Sequence, residues 1–192
     1  MELGHTLHHL RRDFMLWRTN IRMSRRIRDQ KIVEEGDYIF RSASHEDLKA
    51  IEELHNIIYR VPFVNWIRWV YKYRYAQLIG VVTTKDGTLV GYDSFIINEV
   101  EVEDRIIHEL DVVIAPKFQG QGLSTRLRRY SISCYDHGFF NGVSTLAREN
   151  DIKALRSAQK SGYAITKMSA KPPAYYLYQN LTRKFSNTPC EA

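Results

Sequence analysis

The chain has 192 residues, 44% of them hydrophobic and 26% charged, enough for one domain with a real core. This balance excludes a disordered or fibrous protein, and no apolar run approaches the ~20 residues of a membrane span, so a soluble globular fold is predicted. Of the net charge of +6, residues 1–31 hold +5, from eight basic and three acidic side chains. The basic balance therefore describes an N-terminal segment and argues against nucleic acid as the domain's partner.

Two cysteines, Cys134 and Cys190, suggest neither a disulfide framework nor a metal knuckle, and no secretory leader is recognisable. A cytoplasmic protein without a metal is expected, in contact with a membrane surface only if its basic segment makes one. In residues 3–21, Leu3, Leu7, Leu10, Phe14, Trp17 and Ile21 recur at spacings of four and three, one apolar stripe on a helix. Such a stripe packs on its own domain or a second copy, lies on an anionic membrane, or belongs to an Arg-rich targeting peptide. Residues 1–35 are read as a basic amphipathic helical extension and 36–192 as the main domain.

A short strand is expected at Tyr38–Arg41. "SHEDLKAIEELHNIIY" follows as a helix opened by Ser44 with Asp47 three residues on, its apolar face Leu48, Ile51, Leu54 and Ile58. Past Pro62, "FVNWIRWVYKYRY" is a second helix crowded with Trp66, Trp69, Tyr71, Tyr73 and Tyr75, which suit core packing or the wall of a substrate pocket. Two strands form a hairpin around Asp86-Gly87. "NEVEVEDR" is an acidic tip whose Glu99, Glu101, Glu103 and Asp104 are expected in solvent.

"IIHELDVVIAP" is a strand ended by Pro116. "GLSTRLRRYSISCYDHG" is a helix with Leu123, Leu127, Tyr130 and Cys134 inward and Arg126, Arg128 and Arg129 outward. A strand "GVSTLA", a helix "NDIKALRSAQKSG" with Asn150 at its start, and strands "YAITKMSA" and "AYYLYQNL", separated by Lys171-Pro172-Pro173, complete the chain. This order predicts an α/β (α+β) architecture, helices flanking one mixed, mostly antiparallel sheet.

Between strand and helix stands "FQGQGLS", residues 118–124. A dinucleotide fingerprint would need a third glycine where Thr125 stands, and a P-loop would need Gly-Lys-Ser/Thr. What remains is a tight glycine turn that aims backbone N–H groups and a helix N-terminus at one point, a cradle for a diphosphate.

"VVIAPKFQGQGLSTRL" resembles the cofactor motif of the GCN5-related N-acetyltransferases (GNAT) on Ile114, Pro116, Gln119, Gly120, Gln121, Gly122, Leu123 and Leu127, with Ser124 replacing a small Gly or Ala. "ARENDIKALRSAQKSGY" is similar to the family's next block on Ala154, Lys160, Gly162 and Tyr163, with Asn150 one residue early and Asp151 in the expected place. The resemblance covers roughly residues 36–182 and implies a GNAT-like sheet with splayed central strands. It implies an N-acyltransferase that takes acetyl-CoA, or another acyl-CoA, as co-substrate.

On that resemblance the backbone of Val112, Val113 and Ile114 pairs with the pantetheine arm, and the amides from Gln119 to Ser124 hold the pyrophosphate. Arg126 or Arg128 reaches the nucleotide phosphates, or lies on a solvated helix face. Asn150 bonds the arm. For the general base, His108 ranks first and Glu109 second; strict alternation puts Glu109 and Asp111 on the face opposite His108, and a bulge would change that parity. The family's acid for the leaving thiolate, a tyrosine, is replaced by Ala158, so Tyr175, Tyr176 or water takes its place. The implied acceptor is a small-molecule or peptide amine, with a pocket formed by Trp66–Tyr75 and Lys171–Tyr176. The alternatives are a longer-chain acyltransferase fed by acyl-CoA or an acyl carrier protein that meets residues 1–31, and an acyl-CoA sensor without turnover; a homodimer fits each of these.

Overall fold

The computed structural model describes residues 2–28, 30–170 and 172–183, with side chains from residue 10 onward apart from Ser169 and Ala170. Cys190 and Lys171, the first residue of the expected Lys-Pro-Pro separator, lie outside the described residues. The elements run α1 (Glu2–Ser24), β1 (Val33–Glu35), β2 (Tyr38–Ser42), α2 (Asp47–Tyr59), α3 (Asn65–Leu78), β3 (Ile79–Thr84), β4 (Leu89–Ile96), β5 (Ile106–Ile114), α4 (Leu123–Tyr135), β6 (Gly142–Arg148), α5 (Ile152–Ser161), β7 (Ala164–Ala170) and β8 (Pro173–Asn180).

All eight strands form one sheet in the order β1-β2-β3-β4-β5-β6-β8-β7. Every neighbouring pair is antiparallel except β5 and β6. The α2 and α3 helices pack on one face of β2–β5, while α4 and α5 pack on the other face, against β3–β6. Period-two burial sorts the side chains between the layers. Val81, Tyr92 and Val113 join the core under α2 and α3, whereas Phe40, Val82 and Ile114 pack with Leu123, Leu127 and Tyr130 of α4.

At the start of α2 the Asp47 carboxylate accepts from the Ser44 amide at 2.6 Å and from the Ser44 hydroxyl at 2.8 Å, and pairs with Arg41 at 2.7 Å. Ser44 and Asp47 thus pair at the mouth of the helix, but the N-cap is Glu46, which makes no side-chain cap bond, so Ser44 does not cap α2 as expected.

Two departures in β5 shape everything that follows. Parallel pairing with β6 runs from Ile106↔Gly142 to Glu109↔Thr145 and stops, so the two strands part beyond those residues. Against β4, Ser94 pairs with Asp111 but Phe95 pairs with Glu109, leaving Leu110 as a bulge. One extra residue resets the alternation. Glu109, Val112 and Ile114 face α4, while His108, Asp111 and Val113 face α2 and α3.

Candidate functional site

The opening between β5 and β6 leads to a groove of about 470 Å³ between α4 and α5. Its lining includes Val112, Ile114, Gln119, Gly120, Gly122, Leu123 and Ser124. Seven of the ten cofactor residues expected from sequence therefore meet there. Gly120 and Gly122 have φ of +81° and +73°, a region that side chains disfavour, and a Cβ on either would meet nothing within 4 Å. The space in front of the turn is open, as an incoming anion requires. Gly122 caps α4 without a side-chain bond, so the first amides of the helix point at that space. Arg128, Lys153, Arg156 and Lys160 line the groove against a single acid, Asp151. A basic, glycine-floored groove at a helix N-terminus suits a polyphosphate.

The other three expected residues are placed differently. Gln121 spends its side-chain oxygen on the Tyr38 hydroxyl at 2.6 Å, bracing the turn against β2 from behind. Val113 does not face the opening. The Ala115 amide donates to Val90 O at 2.8 Å, and by alternation Val113 also turns its backbone to β4, leaving Val112 and Ile114 toward β6. Ile114 O meets the Gln119 side-chain amide there at 2.9 Å. Asn150 corrects a third expectation. It lies with Arg148, Glu149, Pro172 and Pro173 at a separate cleft, while Asp151 caps α5, accepting from the Ala154 amide at 2.9 Å, and lines the groove.

Arg126 and Arg128 were both expected on the outer face of α4. Arg126 pairs with Glu35 of β1 at 2.8 Å. Arg128 is buried: its Nε donates to Glu109 at 2.7 Å and its Nη1 to Ala154 O at 3.3 Å, tying β5, α4 and α5 together at the base of the groove. Burial opposes its charge, but Glu109 and Asp93 outweigh that and hold its pKa up. Burial, and then the Glu109 charge, push the Asp93 pKa well above the usual carboxylate range. Glu109 is thus sealed in an acid–arginine cluster under α4 and does not reach the α2–α3 face.

On that face Asp111 stands beside Tyr59 and His55. The Tyr59 hydroxyl interacts with the carboxylate, favouring its charged form, and His55 Nδ1 lies 4.0 Å from Asp111 Oδ2 and 2.7 Å from the Tyr92 hydroxyl. Phe63 stacks on the His55 ring with 3.7 Å between centroids. Burial raises the Asp111 pKa, partly offset by the Tyr59 bond, and burial lowers that of His55. Burial thus favours the neutral form of both groups.

His108 shares this face but is spoken for. Its Nδ1 lies 2.7 Å from Ser144 Oγ and 3.3 Å from Glu101 Oε2. Both partners meet the same nitrogen, which is not the relay of a nucleophilic triad, where serine and acid take opposite nitrogens. Glu101, expected in solvent, is only 4% exposed. It also bonds Asn98 and the Tyr176 hydroxyl. Burial works against its charge, yet the bonds from His108, Ser144 and Tyr176 prevail and bring its pKa to about 2. Tyr176 is pushed up to about 12, first by burial and then by Glu101. Ala158 is fully buried in α5.

Sequence reasoning missed Asp111, His55 and Tyr59. The signal for the helix residues was their i,i+4 spacing at the end of α2; for Asp111 it was the parity change that a bulge would bring. Nearby, a pocket of about 490 Å³ between α2 and α3 takes Arg68, Trp69, Tyr71 and Lys72 from the aromatic segment and shares Phe63 with the Asp111 cluster. Among the described residues, no group of three His, Cys, Asp or Glu is placed to hold a metal ion.

Comparison with known families gives a match to "Acetyltransferase (GNAT) family" over residues 48–163. None of the curated proteins matches by sequence. Among solved structures, the chain is similar to yncA, a putative acetyltransferase from Salmonella typhimurium with its cofactor acetyl-CoA, at 18% identity and TM-score 0.62, over 81% of this chain and 100% of that one. It is similar to Naa50 from Arabidopsis thaliana, in complex with a bisubstrate analogue joining CoA to a peptide, at 12% and 0.61, over 75% and 99%. It is also similar to a mutant spermidine N-acetyltransferase from Vibrio cholerae at 18% and 0.57, over 77% and 96%. At such identities these likenesses speak for the fold.

Proposed function

The chain belongs to the GNAT acetyltransferase family, and on that premise we propose that it moves an acyl group, acetyl by default, from acyl-CoA to an amine, with Asp111 as the general base. The observation that carries this reading is the division of labour along β5. Within five residues of the point where β5 and β6 part, Val112 and Ile114 face a basic, glycine-floored groove, and Asp111 faces the opposite layer.

Acyl-CoA supplies an activated thioester carbonyl. The amides of the 120–125 turn, with Lys153, Arg156 and Lys160 at its rim, suit the pyrophosphate and the nucleotide phosphate. The backbone groups of Val112 and Ile114 suit the arm, once the Gln119 side chain leaves Ile114 O. Asp111 takes a proton from the acceptor ammonium, freeing the nitrogen lone pair to form the new C–N bond as the C–S bond breaks. The raised proton affinity of Asp111 serves that step, and Tyr59 and His55 fix its orientation. The second proton, shed by the nitrogen as the amide forms, passes through water to the leaving thiolate, because position 158 is alanine and the Tyr176 hydroxyl proton is engaged by Glu101.

Thermal-shift titration with CoA and acetyl-CoA, followed by thiol release with a panel of amines and N-terminal peptides, tests the reading. Stabilisation with turnover is expected. No shift with any CoA ester refutes the groove assignment, and a shift without turnover on any amine makes the protein a sensor. If His108→Gln abolishes turnover and Asp111→Asn does not, the base is His108.

A further inference from the structure

The periodicity of residues 3–21 picks out one stripe, but α1 turns a different face to the domain. From residue 10 onward, Leu16, Asn20 and Ser24, four apart, are its buried residues, and the helix packs along α3. Asn20 donates to Ile97 O at 2.8 Å and accepts from the Ile97 amide at 2.7 Å, so its side chain continues the pairing of β4. At 100° per residue, the stripe through Leu10, Phe14 and Ile21 lies roughly a quarter turn around the helix from Asn20. Leu10 and Phe14 are 62% and 60% exposed, and Phe14 stacks on Trp17 at the margin of the packed face with 5.7 Å between centroids. Along the far edge of the stripe stand Arg11, Arg18, Arg22 and Arg25, all exposed.

This apolar strip cannot be buried by rolling the helix. Rotation by a quarter turn would break both Asn20–Ile97 bonds and expose Leu16 and Ser24. A partner from outside must therefore cover Leu10 and Phe14 while accepting a row of arginines. A second copy of the helix would set arginine rows against each other, which is unfavourable. A nucleic acid would take the arginines and leave the leucine and phenylalanine in water. A bilayer surface with anionic headgroups satisfies both halves, apolar side chains entering the headgroup–acyl boundary and arginines meeting phosphates. We propose that α1 docks this protein on an anionic membrane surface, its strip lying in the plane of the interface. Among the described residues no helix is long and apolar enough to cross a membrane. The contact is peripheral and reversible, and it is independent of the catalytic reading.

Co-sedimentation of the full chain with phosphatidylcholine vesicles, with and without phosphatidylserine, provides the test. Binding is expected only with phosphatidylserine, weakening as salt rises. Leu10→Ser with Phe14→Ser should abolish it, and Arg11→Gln with Arg18→Gln should weaken it roughly fivefold per arginine. Both pairs are exposed, so melting temperature and the CoA-induced shift should stay unchanged. The proposal is overturned by no binding at low salt, or by binding that ignores Leu10 and Phe14. It is equally overturned by a concentration-dependent dimer that the Leu10/Phe14 pair dissolves, or by duplex RNA binding that needs the arginines alone.

Discussion

Glu109 and Asp111 stand two residues apart on β5, yet the chain uses them in opposite ways. Glu109 meets Arg128 at 2.7 Å with both side chains at or below 5% exposure, and Asp93, whose pKa burial and the Glu109 charge raise, lies beside them. Among the described residues no arginine or lysine pairs with Asp111: a phenol and an imidazole face it, and burial leaves it with a raised proton affinity. A carboxylate whose charge is already matched by a buried guanidinium is structural; one whose charge is only solvated by hydroxyls is available to take a proton. The bulge at Leu110 separates the two, because without it both acids would share a face.

The sharpest way to break this comparison is to neutralise each acid in turn. Asp111→Asn should lower kcat by roughly 10²–10⁴-fold, the range a general base contributes, with little change in melting temperature or in acetyl-CoA affinity. Equal losses of kcat for Glu109→Gln and Asp111→Asn would show that the two sides are not distinct. Next in size is the cation itself. Arg128→Met leaves Glu109 buried without a partner and should cost about 3–5 kcal/mol of stability, read by chemical denaturation. Glu109→Gln should cost less, since Asp93 remains close to Arg128. Adding Glu109→Gln to Arg128→Met should recover part of the loss, and simple additivity would argue against a coupled cluster.

A third acid extends the contrast to low pH. Glu101 is charged and fully bonded, and its pKa falls from the usual 4.5 to about 2. A group whose native pKa is depressed adds stability that is complete above its unfolded value and lost as pH falls through the native one. Stability should therefore drop between about pH 4.5 and 2, by at most on the order of 2–3 kcal/mol from this residue. Glu101→Gln should flatten that part of the profile. An unchanged acid limb would place Glu101 in solvent, where composition alone had put it.

These acids show what sequence could and could not reveal. The phosphate turn was legible because its chemistry is local: Gly120, Gly122 and Pro116 impose their backbone on neighbouring residues, and the helix start follows at once. The element order was legible from periodicity for the same reason. The acceptor side depends on events between segments. A bulge changes the face of Asp111 without changing any residue type, and His55 and Tyr59 reach it from a helix about fifty residues away. Arg128 reads as solvated on a helical wheel because its partner, Glu109, lies on another element. The α1 stripe meets the domain only at its edge, where Trp17 packs against the core, while Leu16, Asn20 and Ser24 are buried and Leu10 and Phe14 stay exposed. Asn150 failed by one position, where Asp151 made the better cap.

The smallest effect is also the most specific test of the two-faced strand. Tyr59 interacts with Asp111 and lowers its pKa, whereas the Glu109 charge raises it through the sheet. The acid limb of kcat/KM reports the base in the free enzyme, and activity rises as Asp111 loses its proton. Tyr59→Phe removes an interaction that favours the charged form, so the limb should move to higher pH. Glu109→Gln removes a repulsion and should move it to lower pH by less, because Arg128 already cancels much of that field. Opposite displacements from residues on opposite faces would identify the titrating group as Asp111. Displacement in the same direction, or a limb that follows only His108→Gln, would assign it to the Glu101-bound imidazole instead.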